Sequence, residues 1–165
     1  MLDDVTRMRR LPVAMPVAAI NRRLGRRKDA QVVSAVQEAQ LTQWMAEAFV
    51  QCRPVGVFGC LAIVDNDGHK VTLSDASVIE NDGVARLLAQ CQYAWLAAST
   101  IGPELVALVN QALAAGDGAK AVVADAVGSE TVEAAMDVLQ NYAGTTLRRR
   151  GWQLSSKRFS VGYGG

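Results

Sequence analysis

"VGVFGCLAIVDNDGHKVTL", Val55 to Leu73, is the stretch on which the architecture turns. Val55 to Val64 is apolar, branched and short, which is the pattern of a buried strand. Asp65 to Gly68 supplies turn chemistry, and His69 to Leu73 returns as a second strand. A strand, a tight turn and a strand make an antiparallel pair. The turn has some likeness to a calcium loop, but the spaced oxygen ligands and the distant glutamate of such a loop are missing.

Outward from this hairpin the chain reads mostly as helix. Asp29 to Gln51 is expected to be one helix, with Leu41, Trp44, Met45, Ala48 and Phe49 on a single face. Arg53-Pro54 stops it, because a residue before proline avoids helical angles. Pro16 opens a short helix through Leu24 that Gly25 closes. Residues 1–15 lack periodicity and read as a flexible basic arm, so that residues 16–165 form a single domain.

Downstream, Asp82 is expected to cap a helix with Val84, Leu87, Leu88 and Cys91 on one face. Tyr93 to Ser99 is the next strand. Gly102-Pro103-Glu104 begins a helix with its proline in the first turn and an acid at the positive end of the dipole. Its buried stripe is Leu105, Leu108, Val109 and Ala112, and Gly116 closes it. Ala119 to Val127 fits strand or helix by period, and its alanines favour helix. Ser129 or Gly128 then caps a continuation whose inner face is Val132, Ala135, Met136 and Leu139. The fold class is therefore α+β, a largely antiparallel sheet with packed helices.

Composition narrows the function classes. Half of the 165 residues are hydrophobic, and 17 basic against 16 acidic residues leave a formal charge of +1. No global field points to nucleic acid or to an acidic membrane. Basic residues do crowd the first thirty positions and Arg148 to Arg150. The three cysteines, Cys52, Cys60 and Cys91, have neither CxxC spacing nor an even number, against a disulfide scaffold or a zinc ribbon. Cytoplasmic location is the expectation. "LPVAMPVAAI" follows arginines but is short, holds two prolines and runs into a basic segment, so it is not read as an export signal.

Motifs for nucleotide phosphates or metals are lacking. His69 is the only histidine, and Cys60 beside Gly59 is the only support for a reactive thiol. More is offered by "KRFSVGYGG", Lys157 to Gly165. A guanidinium at Arg158 can clamp a carboxylate, Tyr163 brings a flat face and a hydroxyl, and Gly162 permits close backbone approach. An edge strand with a glycine tail explains the same residues on chain physics alone.

"AASTIGPELVALVNQALAAGDGAKAVVADAVGSETVEAAMDVLQ", Ala97 to Gln140, followed by "KRFSVGYGG", resembles the activation domain of cobalamin-dependent methionine synthase. The likeness is to its short stand-alone type. "INRRLGRRK", Ile20 to Lys28, is similar to the entry segment of that family, so the likeness spans Ile20 to Gly165. The matching features are a TLGPE-like turn, a DAxGS-like step into a helix and an Arg-x-Ser-Pro-Gly-Tyr-Gly-like loop. The resemblance implies an S-adenosylmethionine-binding activation module that supports reductive remethylation of cobalamin carried by a partner methyltransferase. It implies an electron donor of flavodoxin type and no independent turnover. By the same resemblance Arg158 holds the methionine carboxylate, Tyr163 lines the pocket, and Ser160 and Gly162 serve the adenosine end. Glu133 matches the helix glutamate near the sulfonium, where a carboxylate faces a cation.

Three positions depart from that pattern. Val161 replaces the loop proline, no acid occurs from Gly151 to Lys157, and Tyr163 stands two residues from the end, without the family's closing segment. Two other readings stand beside the first: a module that caps a corrinoid protein without S-adenosylmethionine, and a free-standing enzyme using Cys60.

Overall fold

The computed structural model describes residues 5–26 and 34–160. In chain order these form β1 (Thr6–Met8), α1 (Val17–Arg23), α2 (Ala35–Gln51), β2 (Val55–Asn66), β3 (Lys70–Leu73) and β4 (Val78–Glu80). They continue with α3 (Asp82–Leu87), β5 (Tyr93–Thr100), α4 (Glu104–Ala114) and α5 (Gly118–Arg148). The class is α+β. Its sheet runs β1-β2-β3-β4, and β5 also pairs with β2. The described residues divide into two compact units, one of residues 5–7, 57–97 and 141–160, the other of residues 8–26, 34–56 and 98–140.

In the first unit the hairpin forms as its sequence requires. β2 and β3 are antiparallel, with Ile63 opposite Leu73 and Asn66 opposite Val71, and an irregularity falls between Ile63 and Asp65. Asn66 Oδ1 accepts the Gly68 N–H at 3.1 Å, while Asp67 Oδ1 accepts those of His69 and Lys70, each at 2.9 Å. Gly68 has φ 91°, which glycine adopts without steric cost. β3 then pairs antiparallel with β4, a strand too short to show a period. Helix α3 packs on β3 and β4, and Val71, Leu73, Val84, Ala85 and Ala94 form the core there. The cap of α3 is Asn81, not Asp82: its Oδ1 accepts the Val84 N–H at 3.0 Å.

The second unit is helical. Ser34 starts α2 with a capping box, its hydroxyl accepting the Gln37 N–H at 3.2 Å while Gln37 Oε1 accepts the Ser34 N–H at 3.2 Å. Such reciprocal bonds satisfy two of the donors a helix start leaves open. The expected start at Asp29 lies outside the described residues. Ile20, Met45, Ala48, Cys52, Leu105, Ala124 and Val127 make the core, with Leu41, Trp44 and Phe49 packed at its margin.

Ala119 to Val127 is helix, and it runs without a break into the next segment as α5. No cap forms at Gly128 or Ser129, because Gly128 is used for close approach. A Cβ there would stand 2.4 Å from Leu105 Cδ2 and 3.0 Å from Ile101 Cδ1. The missing side chain lets the start of α4 lie against α5. Gly128→Val is therefore expected to lower stability by about 1–3 kcal/mol through overpacking, in spite of the better helix propensity. Denaturant melts of the two proteins measure it, and an unchanged midpoint would remove this account of the glycine.

Two expectations need correction. The inner stripe of α5 is Ala124, Val127, Thr131, Ala135 and Leu139, each at most 2% exposed, while Val132 and Met136 are half-buried. Residues 1–15 are also not an arm throughout. Thr6–Met8 joins the sheet, and Leu11 is buried with its N–H bonded to the Pro54 carbonyl at 2.9 Å.

Several carboxylates are held below their ordinary range by what they touch. Hydrogen bonds from Lys120 and then Gln43 act on Glu47, those from the Lys70 and His69 backbone on Asp67, and those from Ser77 on Asp75. A lowered folded-state value gives stability that is present above the unfolded value and lost as pH falls through the folded one. The urea midpoint should therefore drop as pH falls through the carboxylate range, below about 4. Asp67→Asn should make that drop shallower, and an unaltered slope would contradict the assignment.

Candidate functional site

Arg158 and Ser160 lie in the irregular segment that follows α5. The segment leaves the helix through a closed turn. Gly151 takes φ 78°, the Gly151 N–H bonds the Arg148 carbonyl at 3.0 Å, and the Trp152 N–H bonds the Leu147 carbonyl at 3.1 Å. A glycine in the left-handed region is the usual way to satisfy the last carbonyls of a helix.

Beyond the turn, apolar side chains fasten the segment. Trp152 stacks on Tyr93 at a centroid distance of 4.3 Å, with the rings 26° from parallel. Leu154 stands 3.7 Å from where a Cβ on Gly144 would sit, and Phe159 Cε2 stands 3.5 Å from the same position on Gly83. Ser155 Oγ donates to the Lys157 carbonyl at 2.7 Å. Arg158 is half-buried beside the Phe159 anchor, and Ser160 is exposed. Gly162 and Tyr163 lie outside the described residues.

Glu133 is half-buried on α5 within the helical unit, whereas Arg158 and Ser160 belong to the first unit. Next to Glu133, the Val132 carbonyl accepts a bond from Ser99 Oγ at 3.4 Å. The sequence reading missed the anchors Trp152, Tyr93, Phe159 and Gly83. Two aromatic residues in a tail without periodicity were the available signal, since such side chains seldom stay in water without contact.

A second aromatic group lies in the same unit. Phe58 packs on Trp95 at 5.9 Å and on Tyr142 at 5.8 Å between centroids. The Trp95 indole N–H is shielded from solvent with no acceptor among the described residues.

Cys52 and Cys60 are poor nucleophiles where they sit. Burial pushes Cys60 up, and it pushes Cys52 up against the opposing effects of the Thr131 hydroxyl and the Arg53 charge. An activated thiol needs the reverse shift and some exposure. His69 is exposed, with Nδ1 3.0 Å from Asp82 Oδ1. Among the described residues no group of three or more His, Cys, Asp or Glu is placed to hold a metal ion. Under native conditions a thiol reagent should modify the half-buried Cys91 first, since Cys52 and Cys60 are 7% and 8% exposed. Mass mapping of the labelled chain checks this, and early labelling of Cys60 would restore the reactive-thiol reading.

No helix of the described residues is long and apolar enough to cross a membrane. No family model matches the chain, and neither does any curated protein.

Proposed function

We propose that the chain is an S-adenosylmethionine-binding activation module of the methionine synthase type. It serves the reductive remethylation of cobalamin on a partner methyltransferase, with reducing equivalents from a flavodoxin-like donor. The observation that carries the reading is a packing contact between two of its motifs. Ile101 and Leu105, in and beside the Thr100–Glu104 turn, press on Gly128 at the DAVGS step, so two segments that carry the resemblance meet in space though they stand apart in the chain. The anchored tail that carries Arg158 and Ser160 gives further support, because a clamp needs a fixed base.

In this reading Arg158 takes the methionine carboxylate with two parallel N–H bonds, and Ser160 with Gly162 meets the adenosine end. Tyr163 lines the pocket, and Glu133 supplies negative charge toward the sulfonium. The ligand and the partner's cobalt carry the chemistry, and this chain binds and orients. Calorimetric titration of the full chain with S-adenosylmethionine tests the proposal. Saturable binding is the expected result. Absence of binding, with association to a cobalamin-loaded methyltransferase intact, would favour the corrinoid-capping reading instead.

A further inference from the structure

The structure treats two groups of arginines in this chain differently. In the first, Arg23 Nε bonds Glu130 Oε1 at 2.6 Å, and Arg26 pairs with Glu38. Those guanidiniums hold helices together. In the second, Arg148, Arg149 and Arg150 are all exposed at the end of α5. Arg148 Nε is bonded to the Gly144 carbonyl of its own helix at 3.1 Å. Arg149 and Arg150 have no ion pair among the described residues.

Three adjacent positive charges repel one another, and the negative end of the helix dipole offsets only part of that. Nor is the turn a loose tail. The Arg150, Gly151 and Trp152 N–H groups bond back to the Leu147 and Arg148 carbonyls at 2.8, 3.0 and 3.1 Å, and Trp152 is pinned on Tyr93. The arginines therefore project from a fixed base, which lowers the entropy lost when they engage. Three acids of the same unit are already occupied: Asp67 caps backbone amides, Asp75 bonds Ser77, and Asp82 bonds His69.

We propose that Arg148–Arg150 is a docking turn for a carboxylate-rich surface of a partner protein. Guanidinium forks match carboxylates bidentately, and three in one turn suit a cluster of Asp and Glu. Nucleic acid is the weaker fit. A phosphate chain needs bases that follow it, whereas Gln153 to Ser156 carries no charge, and the formal charge of the chain is only +1. The proposal stands apart from S-adenosylmethionine binding and needs none of Arg158, Ser160 or Glu133.

The test uses the full chain with a dye-labelled oligoglutamate, followed by fluorescence anisotropy, and an oligothymidylate of matched charge as the comparison. Arg149→Gln with Arg150→Gln should weaken oligoglutamate binding about tenfold or more. Arg9→Gln with Arg10→Gln, in exposed arginines elsewhere, should leave it within about twofold. Circular dichroism of both double variants shows that each is folded, and Arg149→Gln alone gives a milder version should the pair unfold. Equal losses in the two double variants would overturn the proposal in favour of general positive charge. Tighter binding of the oligothymidylate, lost in the same variant, would overturn it in favour of nucleic acid. No binding of oligoglutamate even at low salt, where the Debye length is about 30 Å at 0.01 M, would overturn it outright.

Discussion

Leu139→Ala is expected to lower stability by about 2–5 kcal/mol, the largest loss anticipated for any single substitution in this chain. Leu139 is wholly buried. Its branch rests on the backbone of β2 at Gly56, where a Cβ would stand 2.6 Å from Cδ1 and 2.9 Å from Cδ2. Truncation removes the methyls and leaves a void bounded by a strand and a helix, neither of which can collapse inward without disturbing its hydrogen bonds. Denaturant unfolding with an unchanged slope measures the loss. Met136→Ala, one turn earlier and half-buried, should cost clearly less, because its site can relax toward solvent. Equal losses at 136 and 139 would contradict the stripe assigned to α5.

Arg158→Ala should weaken S-adenosylmethionine binding by about 1.5–3 kcal/mol, or roughly ten- to hundredfold. Its melting temperature should move far less than its affinity. The stacking of Trp152 on Tyr93 holds the segment and is retained in the variant. Lys157→Ala is the control, since Lys157 is exposed one residue away. Titration calorimetry on both variants separates a directed clamp from general charge. A Lys157→Ala protein that loses as much affinity would sink the role assigned to Arg158.

The hairpin was legible in the sequence because its signals are local. Branched apolar residues, an Asn-Asp-Gly turn and a returning alternation all lie within Val55–Leu73. The same holds for α4, whose Gly-Pro-Glu entry and apolar stripe are self-contained. What escaped depends on distant partners. The three residues of β4 form a strand only because β3 offers a ladder beside them. β1 likewise gains its structure from β2. Gly128 carries the local signature of a helix end, yet its neighbours Ile101 and Leu105 convert it into a contact point within one helix. Asn81 and Asp82 are equally good caps by type, and the register of β4 decides between them.

The candidate site rests on signals of two kinds. Arg158 and Ser160 stand out by type within a glycine-rich tail, and Glu133 enters only through the resemblance. The anchors that fix the tail could not be read, since Tyr93 meets Trp152 across a separation of many residues. Distant contacts of that kind leave no periodic trace.

The seat of Leu105 and Ile101 on Gly128 also bears on ancestry. Two positions that share one volume cannot change size independently. Lineages in which 128 acquired a methyl should have shortened or reshaped residue 105 in compensation, and those that kept the glycine should have kept a branched aliphatic side chain opposite. This exchange of bulk is a fingerprint for gathering remote kin whose overall identity has decayed. A paired library randomised at 105 and 128, selected for folding, would reveal its permitted combinations in the laboratory.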